Sequence, residues 1–435
     1  MRRPSFSIFT LGCKVNQYES QQIAKELLKL GFEMVKEEGD IYILNSCAVT
    51  HHADRKARKI IYKGKRQGKK IIVTGCISPP MEENLKKDKQ ILLVTQERKT
   101  AIPKILQEIF SPPPSSLKEE EATKKAIGRK RAYLVIQTGC DNFCSYCIVP
   151  YLRGKPRSRN PQDVLQEIRQ LLLFSYKEVV LCGIRLGKYG KDLGDNTSLS
   201  SLLREILNWK GDFRFRLSSI EPMDFDEELL HLVSHPKLCP HFHIPLQSGS
   251  DRILKLMGRS YTFFDFLSLV KEIRERVPLV NITTDVIVGF PSESEEDFLQ
   301  TLRVCEEAGF GKIHIFPFSP RPGTKAEKWD DVPWEIKKER ARVLQSLEER
   351  LSLSFRTSLI GEKLWILFQG KRGDLWQGIS HNYVTCYADE PPAEEFCWCA
   401  AEEVYKNGIK VRLEKGGREN GAMCVLYDSE GRGRI

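Results

Sequence analysis

Long apolar runs are missing from this 435-residue sequence. No stretch approaches the roughly 20 apolar residues that cross a bilayer as a helix. The charged start, Met1–Pro4, is followed by no sustained apolar segment before Gly12, so a secretory signal is not expected. Low-complexity tracts and internal repeats are missing as well. We therefore expect a cytoplasmic protein that does not contact a membrane and that has, from its length, about three domains.

Cysteine is abundant, and the count argues against a disulfide framework. The chain contains 13 cysteines, which is an odd number. The cytosol keeps thiols reduced, and clustered cysteines in a chain without an export signal are more often metal ligands or catalytic groups. We therefore interpret the cysteines first as candidate metal ligands.

Positive charge is in excess and is unevenly distributed. The net charge of +10 suits a polyanionic partner. Between His51 and Ile72 lie nine basic residues and a single acid, Asp54. A second basic group without acids consists of Arg153, Lys155, Arg157 and Arg159. These groups indicate either a nucleic-acid surface or an ordinary solvated helix face.

The first part of the chain has the pattern of an α/β domain with a doubly wound parallel sheet. The candidate strands Phe6–Leu11, Ile41–Asn45 and Lys70–Thr74 alternate with helical stretches such as Gln22–Leu30. The stretch Ser111–Ala126 contains three consecutive prolines and three consecutive glutamates, which is typical of a linker. We predict an N-terminal domain over residues 1–110 and a linker over residues 111–128.

The rest of the chain predicts two further domains. Six candidate strands, most of them separated by helices, indicate a partial (β/α) barrel over residues 129–357 that ends in a charged helix, Trp334–Phe355. These strands are Tyr133–Gln137, Glu178–Leu181, Phe213–Leu217, His241–Pro245, Asn281–Val288 and Lys312–Pro317. Short strands broken by glycine then predict a small β-barrel over residues 358–435. Its candidate strands are Leu364–Phe368, Tyr383–Tyr387, Glu395–Trp398, Ile409–Leu413 and Met423–Tyr427.

Three cysteines follow the first predicted barrel strand at short spacing. Cys140, Cys144 and Cys147 form a Cys-x-x-x-Cys-x-x-Cys motif, which lets one loop surround a single metal cluster. A four-iron cluster ordinarily takes four cysteines, so three leave one iron without a protein ligand. Barrel enzymes place their active sites at this end of the strands. A zinc knuckle is the alternative interpretation.

Three more cysteines follow the three predicted strands of the N-terminal domain. Cys13, Cys47 and Cys76 each come directly after a strand, at the spacing of strand-helix-strand units. Parallel strands end on the same side of a sheet, so these thiols are expected to converge at one edge, where such sheets bind ligands. Each cysteine taken alone also fits a buried core position. Together they predict a second cluster with another open iron, and two such clusters suggest sulfur insertion into a carbon–hydrogen bond.

The motif at Cys140 looks like the signature of the radical S-adenosylmethionine superfamily. The resemblance implies that Cys140, Cys144 and Cys147 bind a 4Fe-4S cluster and that Phe143 and Tyr146 wall S-adenosylmethionine. The protein then orients the cofactor and excludes side reactions.

Nearly the whole chain resembles the methylthiotransferase family. The tail from about Ser358 is similar to a TRAM domain, the RNA-binding barrel of that family, although its ten basic residues are outnumbered by twelve acidic ones. The aromatic residues of the tail that are candidates for stacking on bases are Trp365, Trp376 and Tyr383, and core packing is the alternative for most of them. The stretches that carry the family resemblance are Thr10–Ser20, Gly139–Arg159, Ser218–Pro222, His243–Ser250, Asp285–Pro291 and Phe316–Thr324.

The resemblance implies a specific transfer RNA modification. Gly-Cys13-Lys-Val-Asn and Asn45-Ser-Cys47-Ala-Val-Thr50 are similar to the branch that methylthiolates N6-threonylcarbamoyladenosine, next to the anticodon, at carbon 2 of the adenine. The implied cofactors are two 4Fe-4S clusters, held by the two cysteine trios, and S-adenosylmethionine. Additional implied cofactor contacts are Gly183, Glu221 and Gln247, with Arg157 and Arg159 contacting either the cofactor or an RNA phosphate. Gly183, Glu221 and Gln247 also fit structural turn positions.

Other functions stay open at this level. The family's other branches, which act on isopentenyladenosine in transfer RNA or on a ribosomal-protein side chain, typically have Gly-Cys-Gln-Met-Asn or Gly-Cys-Pro-Lys-Asn at the first motif. A non-enzymatic RNA-binding protein with structural clusters is a further alternative. Where the family often has Gly-Glu-Thr after Phe290-Pro291, this chain has Ser292-Glu293-Ser294, without loss of a ligand. The sequence identifies no sulfur donor, electron donor or oligomeric state.

Overall fold

A computed structural model describes residues 3–194, 196–329 and 332–414. Its N-terminal part is a five-stranded parallel sheet with the strand order β2-β1-β3-β4-β5. The elements are β1 (Ser5–Thr10), α1 (Lys14–Lys29), β2 (Glu33–Met34), β3 (Ile41–Ser46), α2 (His51–Arg66), β4 (Lys70–Gly75), α3 (Pro79–Lys86), β5 (Ile91–Leu93) and α4 (Ile102–Phe110).

The central strand β3 shows why this sheet is covered on both faces. All six of its residues are buried, and the side chains of a strand alternate between the faces. Ile41 and Ile43 pack with α1 and α4 on one face, while Tyr42 and Leu44 pack with α2 and α3 on the other. The predicted doubly wound α/β fold is confirmed.

The predicted linker is wrong in its second half. Residues Glu119–Ile127 form a helix, α5, that packs on α1. Glu119 lies 3.1 Å from Lys25 Nζ and 3.0 Å from Lys29 Nζ, and Ala122 is fully buried. The three glutamates that suggested a linker stand in the first turn of this helix, where negative charge is favourable for the helix dipole.

The central part is an arc of six parallel strands. The sheets β10-β9-β6 and β11-β12-β13 are connected by the bridges Phe215–Leu238 and Ser219–His243. The first elements are β6 (Arg131–Val135), β7 (Gln137–Thr138), α6 (Val149–Arg153), β8 (Arg157–Ser158), α7 (Pro161–Leu173), β9 (Glu178–Cys182), α8 (Leu199–Leu207), β10 (Arg214–Leu217), α9 (Glu227–Leu232) and β11 (His241–His243). The remaining ones are α10 (Asp251–Met257), α11 (Phe263–Arg276), β12 (Asn281–Val288), α12 (Glu295–Ala308), β13 (Lys312–Pro317) and α13 (Trp334–Ser358).

The two faces of this arc differ in character. The outer face carries apolar side chains such as Leu134, Leu181 and Leu217, which pack with the surrounding helices into the largest core of the described residues. The inner face is partly covered by the N-terminal domain, because Val15 and Tyr18 of α1 pack against β6 and β9. The start of α1, and with it the first predicted cluster cysteine, therefore lies at the inside of the partial barrel.

The described part of the C-terminal region is a closed barrel of five strands. They are β14 (Lys363–Arg372), β15 (Leu375–Ser380), β16 (Thr385–Ala388), β17 (Phe396–Tyr405) and β18 (Gly408–Leu413), in the order β14-β15-β16-β18-β17. The sequence analysis missed β15, which contains Gly378. A Cβ at Gly378 would lie 2.5 Å from Cγ2 of Ile366 on β14, so close strand pairing needs a glycine here. The predicted strand Met423–Tyr427 lies outside the described residues.

Two of the aromatic rings considered for base stacking take part in packing instead. Trp365 stacks parallel to Trp398, with ring centroids 5.9 Å apart, and Tyr383 stacks on His241 of the partial barrel at 4.4 Å. Among the described residues, none of the helices combines the length and the hydrophobicity of a membrane span.

A buried ion-pair network attaches the small barrel to the amino ends of the arc strands. Arg214 Nε and Arg216 Nε donate to the two carboxylate oxygens of Glu178, at 2.7 and 3.0 Å. The remaining guanidinium donors bind carbonyl oxygens of the small barrel, those of Trp365 and Ile379 from Arg214 and those of Ser380 and His381 from Arg216. Although burial raises the pKa of Glu178, the arginines outweigh it and hold this pKa below its usual value.

Replacing Glu178 with Gln should lower the free energy of unfolding by about 3–5 kcal/mol, because two buried guanidiniums lose their counter-charge. The measurement is urea unfolding followed by tryptophan fluorescence, to which Trp365 at this junction contributes. Glu296→Gln, on the exposed face of α12, is the matched control and should change the value by less than about 0.5 kcal/mol. An unchanged transition in the Glu178 variant would contradict the role of this network.

Candidate active site

The loop between β7 and α6 holds the first cysteine trio. Cys140 N donates to Gly154 O at 3.0 Å, and Cys147 N donates to Cys144 O at 2.9 Å, so the loop curls back on itself. Gly139 has a φ of +76°, and a Cβ there would lie 2.0 Å from the carbonyl oxygen of Lys155. Only glycine fits this position.

Two buried arginines, which the sequence analysis did not single out, face this trio. Arg185 binds Asp224 through two hydrogen bonds of 3.0 Å, and Arg259 Nη1 lies 2.5 Å from Glu221. Burial raises the pKa of the Cys144 thiol, while the charges of Arg259 and Arg185 lower it. Each arginine is paired with a carboxylate that lies almost forty residues away in the sequence. No local sequence motif therefore indicates that these arginines belong to the site.

The predicted walls of the cofactor site lie on both sides of the loop. Phe143 is 47% exposed, with a φ of +44°, and its ring meets Tyr151 edge to face at 5.6 Å. The hydroxyl of Tyr146 accepts a hydrogen bond from Arg259 Nη2 at 3.0 Å, and the same arginine pairs with Glu221. The structure therefore connects Tyr146 and Glu221 through one guanidinium.

Gly183 and Gln247 stand beyond strand ends on the same side of the arc. Gly183 N donates to Ser218 Oγ at 3.3 Å, and a Cβ there would lie 2.8 Å from Leu186 Cα. Gln247 is buried with a φ of +65°, which is unusual for a residue with a side chain. Close packing at Gly183 and strain at Gln247 agree with a shaped site, and their predicted cofactor contacts stay predictions.

The two predicted arginines occupy different surroundings. Arg157 on β8 is exposed. The guanidinium of Arg159 is engaged between the two domains, where Nη1 donates to Tyr18 Oη at 3.0 Å and lies 2.8 Å from Glu167. In the structure Arg159 therefore joins α1 to α7, while Arg157 is the one available to a ligand.

The second cysteine trio stands at the carboxyl edge of the N-terminal sheet. Cys13, Cys47 and Cys76 follow β1, β3 and β4, which are neighbours in the sheet. A Cβ on Gly12 would lie 2.7 Å from both Cβ and Sγ of Cys47, so the Cys13 turn touches the second cysteine. Burial raises the pKa of the Cys47 thiol to about 12, and the nearby Cys76 and Cys13 raise it too. Cys47 and Cys76 are buried while Cys13 is exposed, and the two buried thiols favour deprotonation only when a cation binds them.

The spread of the sulfur atoms tests which metal group fits. Among the described residues, only His243, Asp285 and His314 bring three ligating atoms within 4.8 Å of one another. At least one sulfur pair in each cysteine trio is therefore farther apart than this. A tetrahedral zinc with Zn–S bonds of about 2.3 Å would hold its sulfurs only about 3.8 Å apart. In an iron–sulfur cluster each cysteine binds a different iron, which suits the wider spread.

Arg153 connects the two trios and was not predicted as a site residue. It ends α6, which follows the Cys140–Cys147 loop, and it is buried. Its Nε donates to Cys76 Sγ at 3.3 Å, Nη1 to Glu19 at 2.9 Å and Nη2 to Asn16 at 2.5 Å. The sequence shows only a basic residue in a basic stretch, because these partners lie more than seventy residues away along the chain.

Comparison with known proteins adds the family. Residues 134–305 match the model of the Radical SAM superfamily, and residues 5–95 match that of protein family UPF0004. The threonylcarbamoyladenosine tRNA methylthiotransferase MtaB of Thermotoga maritima is 40% identical over 423 residues, which cover 94% of this chain and 95% of that protein. The chain belongs to the radical S-adenosylmethionine methylthiotransferase family. The expected cofactors of this family, S-adenosylmethionine and two 4Fe-4S clusters, are confirmed.

Other relatives show how far the likeness extends. MtaB of Bacillus subtilis is 34% identical over 431 residues, covering 94% of this chain and 93% of that protein. The tRNA-2-methylthio-N(6)-dimethylallyladenosine synthase of Dictyoglomus thermophilum is 38% identical, covering 84% of this chain and 87% of that protein. The radical S-adenosylmethionine methyltransferase TsrM of Kitasatospora setae is similar in fold, with a TM-score of 0.55, 15% identity and 75% of each chain covered.

Cys47→Ser and Cys144→Ser should each lower the iron content from about eight to about four atoms per chain, because each removes one ligand of one cluster. Iron analysis and visible absorption after anaerobic reconstitution measure this. Cys305→Ala, a buried cysteine of α12 outside both trios, is the matched control and should keep all the iron. Full iron content in either serine variant would contradict the assignment of that trio.

Arg153→Gln should move iron binding by the second trio to higher pH. Burial raises the pKa of Cys76, and Arg153 lowers it. Without the guanidinium this pKa rises, so protons compete longer with iron for the thiolate. The measurement is the iron retained between about pH 6 and pH 9 in proteins that also carry Cys144→Ser. This second substitution removes the cluster of the first trio, so the remaining iron belongs to the second trio. Arg153→Lys keeps the charge and should shift the curve less, whereas equal curves for all three proteins would contradict the electrostatic role.

Proposed function

We propose that this protein methylthiolates carbon 2 of the adenine of N6-threonylcarbamoyladenosine, next to the anticodon of transfer RNA. The observation that carries the proposal is the pairing of two cysteine trios, one at a sheet edge and one in a barrel loop, through the single side chain of Arg153. Relatives at 40% and 39% identity are named for this activity. We infer that the reaction takes place in the cytoplasm, because its substrate is transfer RNA.

The cysteines divide the chemistry between two clusters. Cys140, Cys144 and Cys147 would hold the cluster next to S-adenosylmethionine, and Cys13, Cys47 and Cys76 would hold the other. When bound, these groups supply a radical that activates the carbon–hydrogen bond and the sulfur that is transferred. Structural four-iron clusters ordinarily have four cysteine ligands. Two clusters with three cysteines each therefore fit a group-transfer reaction better than a purely structural role.

The protein's own groups orient the cofactor and exclude water. Arg259 binds both Glu221 and Tyr146, which fixes a carboxylate and an aromatic ring beside the Cys144 thiol. The ring of Tyr146 also meets Phe290 edge to face at 6.4 Å. Such preorganised groups need no rearrangement during the reaction.

The basic helix α2 is the proposed contact surface for the RNA. It begins four residues after Cys47, and Arg55, Lys56, Arg58 and Lys59 on it are exposed. Tyr62 on the same helix is 64% exposed, so its ring is available for stacking. Basic groups next to an exposed aromatic ring suit single-stranded RNA such as an anticodon loop.

Nucleoside mass spectrometry of transfer RNA from a strain without the gene tests the proposal. We expect the 2-methylthio derivative of N6-threonylcarbamoyladenosine to disappear while its unmethylthiolated precursor accumulates. Complementation with the wild-type gene should restore the product, and complementation with the Cys144→Ser variant should not. An unchanged product would reject the substrate.

The same strain separates the remaining functions. Loss of the methylthio derivative of isopentenyladenosine, or of a methylthiolated ribosomal-protein peptide, would assign the chain to another branch. Failure of the reconstituted protein to form 5′-deoxyadenosine from S-adenosylmethionine would favour an RNA-binding protein with structural clusters.

A further inference from the structure

The inner face of the arc carries polar side chains that neither cysteine trio uses. His243 and Thr283 are register partners on β11 and β12, and Asp285 and His314 are register partners on β12 and β13. Residues paired across parallel strands, and residues two apart on one strand, point to the same face. These four side chains therefore form one patch, and His314 in it is exposed.

Lys14 reaches this patch from the N-terminal domain. Its Nζ lies 6.0 Å from the centre of the Tyr383 ring, which stacks on His241 at the amino end of β11. His241 Nε2 in turn lies 3.2 Å from Oγ1 of Thr283, which belongs to the patch, and the rings of His243 and His314 are 5.6 Å apart. Through Tyr383 and His241, Lys14 therefore reaches the inner face of the arc at the end of the patch that carries Thr283.

The patch is a poor site for a metal ion, although its three ligating atoms are close. His243 has both ring nitrogens engaged, with Nδ1 3.0 Å from Thr283 Oγ1 and Nε2 3.2 Å from Asp285 Oδ2. A metal ion here would have to replace the contact between His243 and Asp285. Burial lowers the pKa of His314, while the charge of Asp285 raises it and the charges of His243, Lys312 and Lys14 lower it.

The floor below the patch is also positive. Arg131 lies 5.3 Å above the Tyr383 ring and Arg216 lies 4.7 Å from it, and Nε and Nη1 of Arg131 are buried without a hydrogen-bond partner among the described residues. Burial raises the pKa of Tyr383, but the charges of Arg131, Lys14 and Arg216 outweigh it and hold this pKa below its usual value. Beside the Tyr383 ring the field therefore favours an anion.

Lys14 lacks a counter-ion of its own. Among the described residues no carboxylate oxygen lies within 4.0 Å of its Nζ, and Asp285, the acid of the patch, is bound by His243. A half-buried ammonium among arginines is unfavourable unless a negative group comes to it.

We propose that Lys14 and His314 form a carboxylate-binding pocket inside the partial barrel, which receives the amino-acid carboxylate on the N6 substituent of the substrate adenine. The proposal rests on the proposed function, because the threonylcarbamoyl group ends in a carboxylate. Lys14 supplies the charge, and neutral His314 donates a ring N–H. Since Lys14 directly follows Cys13, the pocket holds the substituent while the adenine faces the second trio.

Binding of anticodon-stem hairpins to the reconstituted full-length protein tests the pocket. One hairpin carries N6-threonylcarbamoyladenosine, and a second carries its methyl ester, which is neutral but of similar size. We expect the wild type to bind the acid about tenfold more tightly than the ester, as one charged contact allows. Lys14→Gln should bring this ratio close to one, His314→Leu should lower it, and Lys14→Arg should keep most of it.

The ratio within each variant cancels general effects on RNA affinity or folding. Lys338→Gln, which removes an exposed charge from α13, is the matched control and should keep the tenfold ratio. A tenfold ratio retained by Lys14→Gln would overturn the pocket. A second result would also overturn the pocket. If the wild type binds one Zn²⁺ per chain in addition to the cluster iron, and His314→Leu does not, the patch is a metal site.

Turnover separates failure of the pocket from failure of the proposed function. A wild-type protein that methylthiolates the acid hairpin, together with variants of unchanged binding ratio, would overturn the pocket alone. A wild-type protein that forms 5′-deoxyadenosine but methylthiolates neither hairpin would overturn the proposed function, and the pocket with it.

Discussion

The guanidinium of Arg153 holds the two halves of the site together. It is buried between the domains, with Cys76, Glu19 and Asn16 as acceptors for its donors. A buried guanidinium is stable only with counter-charge and with its donors satisfied, and both are supplied here by the N-terminal domain. Because Arg153 ends the helix that follows the first trio, this one side chain fixes that loop relative to the second trio.

The same rule organises the other cations around the site. Arg185 is paired with Asp224, and Arg259 is paired with Glu221. Glu178 is paired with both Arg214 and Arg216, which also donate hydrogen bonds to the small barrel. Each of these arginines is paired with a carboxylate of the chain before any ligand arrives. The site is therefore rigid where the clusters and cofactor are held, because breaking such a buried pair costs several kcal/mol.

The sequence predicted what depends on local pattern. The bounds of the strands Asn281–Val288 and Lys312–Pro317 match the structure to the residue, because short apolar runs mark them. The convergence of Cys13, Cys47 and Cys76 followed from parallel strands alone. The arginines of the site were missed because their partners are distant in sequence, and the helix at Glu119–Ile127 was missed because its charges resemble those of a linker until α1 supplies the opposite ones.

Lys14 is the exception to this pattern of paired charges, and its position explains why. It is the first residue of α1, whose N-cap is Cys13, so the turn that places the cysteine at the sheet edge also directs the lysine into the partial barrel. A carboxylate from the chain at this point would neutralise Lys14 permanently and close the space. Because the chain supplies no counter-charge, the interior stays open to a ligand. The charges of Arg131 and Arg216 then act on a ligand that enters. The arginines beside the cluster loops are thus paired with carboxylates of the chain, while Lys14, which has no such partner among the described residues, lies where a substrate must come.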